Sequence, residues 1–147
     1  MKWLDRNASA IGAAGAILTS LVALVALIAI PMQIRATAVL QADQSARDIY
    51  REFVALSVSN PQFAAPDYCA LIKDEQRATA YSYYVEYMLY TAEQVTTADE
   101  AWLPVMQSHF DQHQAFFCAN REWHGDAAPV AVLIAAQRDR CEAAPSC

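Results

Sequence analysis

An uncharged apolar run near the N-terminus constrains this chain more than any other feature. Residues 7–34 carry no charged side chain, and the central part, residues 11–30, contains nothing more polar than one threonine and one serine. In hydrocarbon every backbone N–H and C=O must be satisfied within the segment, so such a run can only be a helix. As a helix, residues 8–30 extend roughly 35 Å, enough to cross a hydrocarbon core of roughly 30 Å. The sequence predicts a membrane-spanning helix that ends or kinks at Pro31, because proline lacks the N–H of a continuing helix.

A cleaved signal peptide is the alternative interpretation of this run, because Ala36-Thr37-Ala38 has the small-x-small form of a cleavage site. The apolar run is about twice as long as the apolar core of a usual signal peptide. The triplet also lies beyond Pro31 and Arg35. We therefore expect the helix to stay attached as an anchor.

Charged residues and cysteines together predict the orientation of the span. Lys2 and Arg6 precede the helix and Arg35 follows it closely, a balance that favours a cytoplasmic N-terminus. All four cysteines lie after the span, and an even number on one side is typical of an oxidising compartment. The sequence predicts a single-pass protein of the inner (cytoplasmic) membrane, with a C-terminal domain that is periplasmic in a Gram-negative source.

Small residues recur at intervals of four along the first half of the span and form two neighbouring lines. The first line is Ala8, Gly12, Ala16 and Ser20, and the second is Gly15, Thr19 and Ala23. Small side chains let two helices approach closely and gain dispersion contacts that lipid tails do not match. The alternative is that small residues are simply common in membrane spans. Besides the lipid bilayer, the predicted partners are other membrane-protein subunits, or a second copy of this chain, bound through the span.

The chain beyond the span is long enough for one small domain, and its apolar spacing is helical. Residues 44–58 place Ile49, Phe53 and Leu56 on one side, as an amphipathic helix does. This helix should end just before Pro61, because the residue before a proline is pushed out of helical geometry. A loop is expected to follow it.

Two longer helices are predicted next. The first covers residues 67–95, with an early break near Lys73-Asp74. The second begins at Thr97-Ala98-Asp99-Glu100, which has the form of a capping box, and runs to about Ala119. Within it we expect a disturbance near Pro104.

A last helix can open at Pro129 and run to about Arg140, after a turn at Gly125-Asp126. No stretch shows the sustained alternation of a strand. The sequence therefore predicts an all-α fold, with one N-terminal transmembrane helix followed by a bundle of about four helices. The predicted divisions are an N-terminal tail and transmembrane helix (1–34), a helical bundle domain (35–140) and a cysteine-bearing tail (141–147).

The domain beyond the span is acidic. After Arg35 the chain holds seven Lys and Arg against fifteen Asp and Glu, a formal balance of minus eight. A phosphate backbone or an anionic lipid surface is repelled by this charge. We therefore expect no nucleic acid partner.

The four cysteines, Cys69, Cys118, Cys141 and Cys147, allow three disulfide pairings. We favour Cys69–Cys118, which would join the second and third helices of the domain, together with Cys141–Cys147 in the tail. A metal site is the weaker alternative, because the chain has no Cys-x-x-Cys pair.

His109 and His113 stand four residues apart in a predicted helix, the spacing at which two imidazoles can share a metal. His113 also falls in line with Met106 and Phe110, which favours the alternative of a hydrogen-bonded core histidine. We predict no cofactor and keep a metal or haem site on the two histidines as a weak alternative. Further ligands could come from Asp111, Glu122, His124 and Asp126.

Five tyrosines crowd the second predicted helix of the domain: Tyr81, Tyr83, Tyr84, Tyr87 and Tyr90. A tyrosine tolerates an apolar body and a wet hydroxyl, which suits a ligand cleft or a partner interface. The alternative is ordinary packing in the bundle. From this set the predicted partner or ligand face is Tyr81, Tyr84, Tyr87 and Tyr90.

No motif of catalysis is present. The sequence has no glycine-rich phosphate loop, no Gly-x-Ser-x-Gly turn and no Cys-x-x-Cys redox pair. We therefore expect that the protein is not an enzyme.

The segment RDIYREFVALSVSNP, an aromatic-rich second helix, and a third helix with Trp102 and His109-Phe110 together resemble a group of uncharacterised bacterial membrane-anchored helical proteins. The likeness runs from Arg47 to about Trp123 and leaves out the cysteine-bearing tail. It implies the same architecture and no active residues.

The sequence predicts a membrane-anchored structural or accessory interaction protein, a small subunit of a larger membrane complex. The alternatives are a periplasmic sensor-like domain that binds a small ligand between its helices, and a metal or haem carrier built on His109 and His113.

Overall fold

The protein is all-α, as the sequence predicts. The computed structural model describes residues 2–120 and 128–143, and that part of the chain contains α-helices, short 3-10 turns and no strand. The chain forms two compact units, Met1–Gln41 and Ala42–Cys147. The first unit holds the apolar segment, and the second holds the helical bundle.

Seven α-helices occur in the described residues. In chain order they are α1 (Lys2–Ser59), α2 (Pro61–Ala64), α3 (Tyr68–Leu71), α4 (Glu75–Ala98), α5 (Leu103–Asp111), α6 (Gln114–Ala119) and α7 (Ala128–Arg138). The 3-10 turn Glu100–Trp102 precedes α5, and the 3-10 turn Cys141–Ala143 follows α7.

The apolar segment belongs to α1, which is long and apolar enough to cross a membrane. The helix does not end at Pro31, where the sequence predicts an end or a kink. A proline inside a helix removes one backbone hydrogen bond, and the bonds of the neighbouring turns can maintain the helix across it. Helical structure therefore extends past residue 34, the predicted end of the span.

The C-terminal end of α1 agrees with the prediction. The helix stops at Ser59, and the backbone N–H of Asn60 donates to the carbonyl of Leu56 at 3.0 Å. Pro61 then opens the short helix α2 where a loop is expected. Proline suits a first helical position because the N–H that it lacks would have no partner there.

The predicted break near Lys73-Asp74 is confirmed. Asp74 caps α4 by accepting a hydrogen bond from the backbone N–H of Arg77 at 3.0 Å. The predicted capping box is wrong, because Thr97 lies inside α4. Asp99 has an extended backbone and accepts from the N–H of Ala101 at 2.9 Å, so the aspartate and not the threonine caps the next turn.

The third predicted helix is interrupted between α5 and α6. The N–H of Gln112 donates to the carbonyl of His109 at 3.1 Å and that of His113 to the carbonyl of Phe110 at 2.9 Å, which closes α5 with a tight turn. His113 leaves helical geometry with φ −111° and ψ 14°. The uninterrupted helix to Ala119 is therefore wrong, and the interruption places His113 between the two helices.

The core lies between the end of α1, α4, α5, α6 and α7. Its largest fully buried side chains include Phe53 from α1, Tyr81 and Met88 from α4, Phe110 from α5 and Ile134 from α7. Helix α7 contacts α4, α5 and α6, and its bounds agree with the predicted last helix. The predicted turn at Gly125-Asp126 lies outside the described residues.

The disulfide pairing differs from the predicted one. Cys118 at the end of α6 is bonded to Cys141 in the 3-10 turn after α7, with 5.5 Å between their Cα atoms. Cys69 is also disulfide-bonded, and Cys147 lies outside the described residues. The favoured pairs Cys69–Cys118 and Cys141–Cys147 are wrong, because α7 packs against α6 and brings Cys141 next to Cys118.

Candidate functional site

The apolar segment of α1 presents an exposed apolar surface. Ile17 is 68% exposed, Leu27 70% and Ile34 63%, and the most apolar part of the helix has no buried residue. Burial of such a surface against lipid or another helix removes it from water, which is favourable by about 25 cal/mol for each Å². This surface is the first candidate site.

The predicted small-residue lines lie on this surface. A Cβ atom placed on Gly12 or Gly15 meets nothing within 4 Å, so the structure leaves open space at both positions. The hydroxyl of Thr19 donates to the carbonyl of Gly15, and that of Ser20 to the carbonyl of Ala16, each at 2.9 Å. Both hydroxyls are therefore satisfied within the helix. The side chain of Ala8 lies outside the described part of the chain.

The tyrosines of α4 divide into a buried and an exposed set. Tyr81 is only 1% exposed and Tyr84 4%, whereas Tyr83 is 68% and Tyr90 53% exposed. Tyr87 is partly buried. The predicted partner or ligand face, Tyr81, Tyr84, Tyr87 and Tyr90, is therefore not one exposed face, because packing against Phe53, Phe63 and His113 holds the first two in the core.

The two exposed tyrosines and the partly buried Tyr87 form a ridge along α4, which we call the tyrosine ridge: Tyr83, Tyr87 and Tyr90. Their spacing of four and three residues places them on one side of the helix. The hydroxyl of Tyr87 donates to a carboxylate oxygen of Glu52 on α1 at 3.5 Å. The predicted face omits Tyr83, although its seven-residue separation from Tyr90 places it on the same side of a helix.

His109 joins α5 to the end of α1. Its Nε2 is hydrogen-bonded to the hydroxyl of Tyr50 at 3.1 Å, and its ring meets the ring of Phe53 edge-on at 5.0 Å between centroids. Burial lowers the pKa of His109 because the protonated ring loses water. At neutral pH this histidine is therefore an uncharged member of an aromatic cluster.

His113 joins the start of α6 to α4. Its Nδ1 is hydrogen-bonded to the hydroxyl of Tyr81 at 2.7 Å, and the side chain is only 2% exposed. Burial, with a smaller contribution from nearby His109, lowers the pKa of His113 to about 4. Burial also raises the pKa of Tyr81 above its ordinary value. The pair is neutral across the physiological range.

The two histidines do not share a helix, since α5 ends between them. The described residues contain no group of three histidine, cysteine or acidic side chains that could hold a metal. Asp111, one of the suggested ligands, instead accepts hydrogen bonds from Gln107, Gln137 and Arg140. The other suggested ligands, Glu122, His124 and Asp126, lie outside the described residues.

A cleft of about 370 Å³ lies beside the Tyr81–His113 pair. One wall is residues 66–69, at the start of α3, and the other is residues 111–116, at the junction of α5 and α6. A second hollow of about 810 Å³, near the start of α4, is shallower and carries Lys73 beside Asp74 and Glu75. The cleft is the more enclosed of the two and is the one that borders a buried polar pair.

No protein-family model matches the chain, and no curated protein or solved structure matches it. The resemblance to bacterial membrane-anchored helical proteins therefore identifies no family.

Three features can therefore interact with other molecules. They are the apolar surface of α1, the tyrosine ridge on α4, and the cleft beside Tyr81 and His113. The first two suit contacts with other proteins or lipid, because they are exposed and amphipathic. The cleft has the size of a small-ligand site.

Proposed function

We propose that the protein is a single-pass, membrane-anchored accessory subunit of a larger membrane complex, and not an enzyme. The observation that carries this proposal is the exposed apolar surface of α1 between residues 15 and 34. Such a surface is stable only in lipid or against another apolar helix. The protein's role is then to hold the helical domain at the membrane and to contact its neighbours there.

The domain belongs, in this proposal, on the outer side of the inner (cytoplasmic) membrane, in the periplasm. The disulfide Cys118–Cys141 supports this side, because disulfides form and persist in oxidising compartments. Lys2 and Arg6 before the span favour a cytoplasmic N-terminus by the distribution of positive charge.

Two surfaces are proposed to bind neighbours. Within the membrane, the open positions at Gly12 and Gly15 allow another helix, or a second copy of α1, to approach closely. Outside it, the tyrosine ridge offers three aromatic side chains of the kind enriched at protein interfaces. The formal charge of the domain, minus eight beyond Arg35, argues against nucleic acid as a partner.

Affinity purification from native membranes tests the proposal. We expect the tagged full chain, extracted in mild detergent, to carry one or more membrane proteins in a fixed ratio. The variant Ala16→Leu should lose them, because the larger side chain fills the small-residue line. Ala14→Leu is the same change at a position that helical spacing places about 100° or more from every member of both lines, so it serves as the control and should keep them.

A chain that is recovered alone, with the extraction conditions shown to preserve other membrane complexes, contradicts the accessory-subunit proposal. Equal retention of partners by Ala16→Leu and Ala14→Leu would instead show that the small-residue lines do not make the contact. In that case the same purification of the variants Tyr83→Ala and Tyr90→Ala would test whether the tyrosine ridge makes the contact.

A second candidate function, ligand binding by the helical domain, is favoured by the enclosed cleft beside Tyr81 and His113. It is compatible with an anchored subunit, because the cleft and the ridge use different residues.

A further inference from the structure

We propose that the cleft between residues 66–69 and residues 111–116 binds a small organic cation that carries N–H donors, such as an aliphatic amine. This inference is independent of the accessory-subunit proposal, because all the residues of the cleft lie within the unit Ala42–Cys147. It assigns a ligand class to a site that no sequence motif marks.

The charged residues that line the cleft favour a cationic ligand. Two carboxylates, Asp67 and Asp111, line the cleft, and no lysine or arginine does. Arg140 forms an ion pair with Asp111, whereas Asp67 has no ion-pair partner among the described residues. One negative charge therefore remains uncompensated at the cleft, and an anionic ligand would be repelled by it.

The carboxylate of Asp67 retains capacity to bind. One of its oxygens caps α3 by accepting the backbone N–H of Ala70 at 3.1 Å. An ionised carboxylate has about four lone-pair sites, so three or so remain for other donors. Hydrogen bonds from an ammonium group to such an acceptor are among the stronger ones in proteins.

The aromatic rings that line the cleft also favour a cationic ligand. Tyr68, Tyr81 and Phe116 contact one another, with ring centroids separated by 5.6 to 6.2 Å, and all three line the cleft. Aromatic faces attract a cation within about 6 Å of the ring centroid, and the attraction grows as water is excluded. A neutral ligand would gain only the apolar contact.

The ring of the buried His113 has one nitrogen available to a ligand in the cleft. His113 lines the cleft and is only 2% exposed, and the single hydrogen bond of its ring in the described part of the chain uses Nδ1, toward Tyr81. Nε2 is left without a partner there. When Nδ1 carries the proton and donates it to Tyr81, Nε2 is an acceptor, which suits an N–H donor from the ligand.

The size of the cleft sets the scale of the ligand. A volume of about 370 Å³ lies near the lower end of the range for small-molecule sites, which begins at roughly 300 Å³. A short aliphatic amine fits such a volume. A folded peptide is too large for it, and the phosphates of a nucleotide would be repelled by the negative charge of the lining.

Calorimetric titration of the full chain in detergent tests the proposal with three probes of matched length: putrescine, 1,4-butanediol and succinate. We expect saturable binding of putrescine at pH 7.5 and none of the neutral or anionic probe. Equal binding of putrescine and butanediol, or the absence of saturable putrescine binding at millimolar concentrations, overturns the inference.

Asp67→Asn is the deciding variant, because asparagine caps a helix about as well as aspartate and the fold should be kept. We expect it to weaken putrescine binding by roughly tenfold or more. Asp99→Asn is the matched control, since it removes the same charge from another capping aspartate, outside the cleft, and should bind as the unmodified protein does. If the two variants weaken binding equally, the effect comes from net charge and the cleft is not the site.

Discussion

The hydroxyl of Tyr81 lies 2.7 Å from Nδ1 of His113, and both side chains are almost completely buried. This hydrogen bond joins the middle of α4 to the residue that separates α5 from α6. It satisfies two polar groups in the aromatic core, and a buried polar group without a partner is costly. The pair therefore holds the interruption between α5 and α6 in place.

Removal of the tyrosine hydroxyl should destabilise the protein. In Tyr81→Phe the ring is kept and Nδ1 of His113 loses its partner, so we expect a loss of roughly 1–3 kcal/mol in the free energy of unfolding. Thermal unfolding of the full chain in detergent, followed by circular dichroism, measures it. Tyr90→Phe removes a hydroxyl from the exposed ridge and should change the stability by less than about 0.5 kcal/mol. Similar effects of the two variants would show that the buried bond contributes little.

Acid should destabilise the fold through His113. Its pKa is about 4 in the folded protein and about 6.5 in an unfolded chain, so the unfolded state binds the proton more readily. The contribution of neutral His113 to the free energy of unfolding is fully present above about pH 6.5. It is lost as the pH decreases toward 4, and the loss amounts to about 3 kcal/mol. Burial also lowers the pKa of His109, so acid should decrease the free energy of unfolding through this histidine as well.

The pH effect can be assigned with His113→Gln, because glutamine can still hydrogen-bond Tyr81 but does not titrate. Unfolding midpoints measured between pH 8 and pH 5 should then decrease less than in the unmodified protein. Asp111 titrates in a lower range, because hydrogen bonds from Gln137 and Arg140 hold its pKa near 2. A variant with an unchanged decrease between pH 8 and pH 5 would contradict the assignment to His113.

Reduction of the disulfide Cys118–Cys141 should destabilise the helical domain. The bond closes a loop with a sequence separation of 23 residues. In the chain-entropy account, a crosslink of this span contributes roughly 3 kcal/mol, because it restricts the unfolded chain. Cys141→Ser should lower the unfolding midpoint accordingly. Peptide mapping without reductant should recover a peptide that joins Cys118 to Cys141, and recovery of Cys69–Cys118 instead would show that the pairing is wrong.

Phe53 should be one of the most sensitive core positions. Its side chain is fully buried at the end of α1 and packs against the rings of Tyr84 and His109. Phe53→Ala leaves a cavity and should cost about 3–5 kcal/mol. Tyr83→Ala, a truncation of an exposed ring of similar size, is the control and should leave the unfolding midpoint nearly unchanged. A small effect at Phe53 would mean that the end of α1 packs loosely on the bundle.

The features that local sequence determines could be predicted. The apolar run of α1 and the amphipathic spacing up to Ser59 are set by hydropathy and proline, and the break before α4 is set by the cap at Asp74. These signals depend only on neighbouring residues. The all-α class follows from them.

The features that depend on distant residues could not be predicted. The interruption at His113 involves Tyr81, which lies 32 residues away in the sequence. The pairing of Cys118 with Cys141 depends on the return of α7 along α6. The division of the tyrosines into core and ridge likewise depends on which side of α4 meets the other helices. Spacing in the sequence groups Tyr83, Tyr87 and Tyr90 on one side of a helix, but it does not say which side is buried.

The central claim is that α1 stays attached and anchors the domain at the membrane. The most direct measurement is alkaline extraction of native membranes, followed by mass determination of the chain in the pellet and in the supernatant. We predict the intact chain, with residues 1–34 present, in the membrane pellet. Recovery of the protein from the soluble fraction without those residues would contradict the claim.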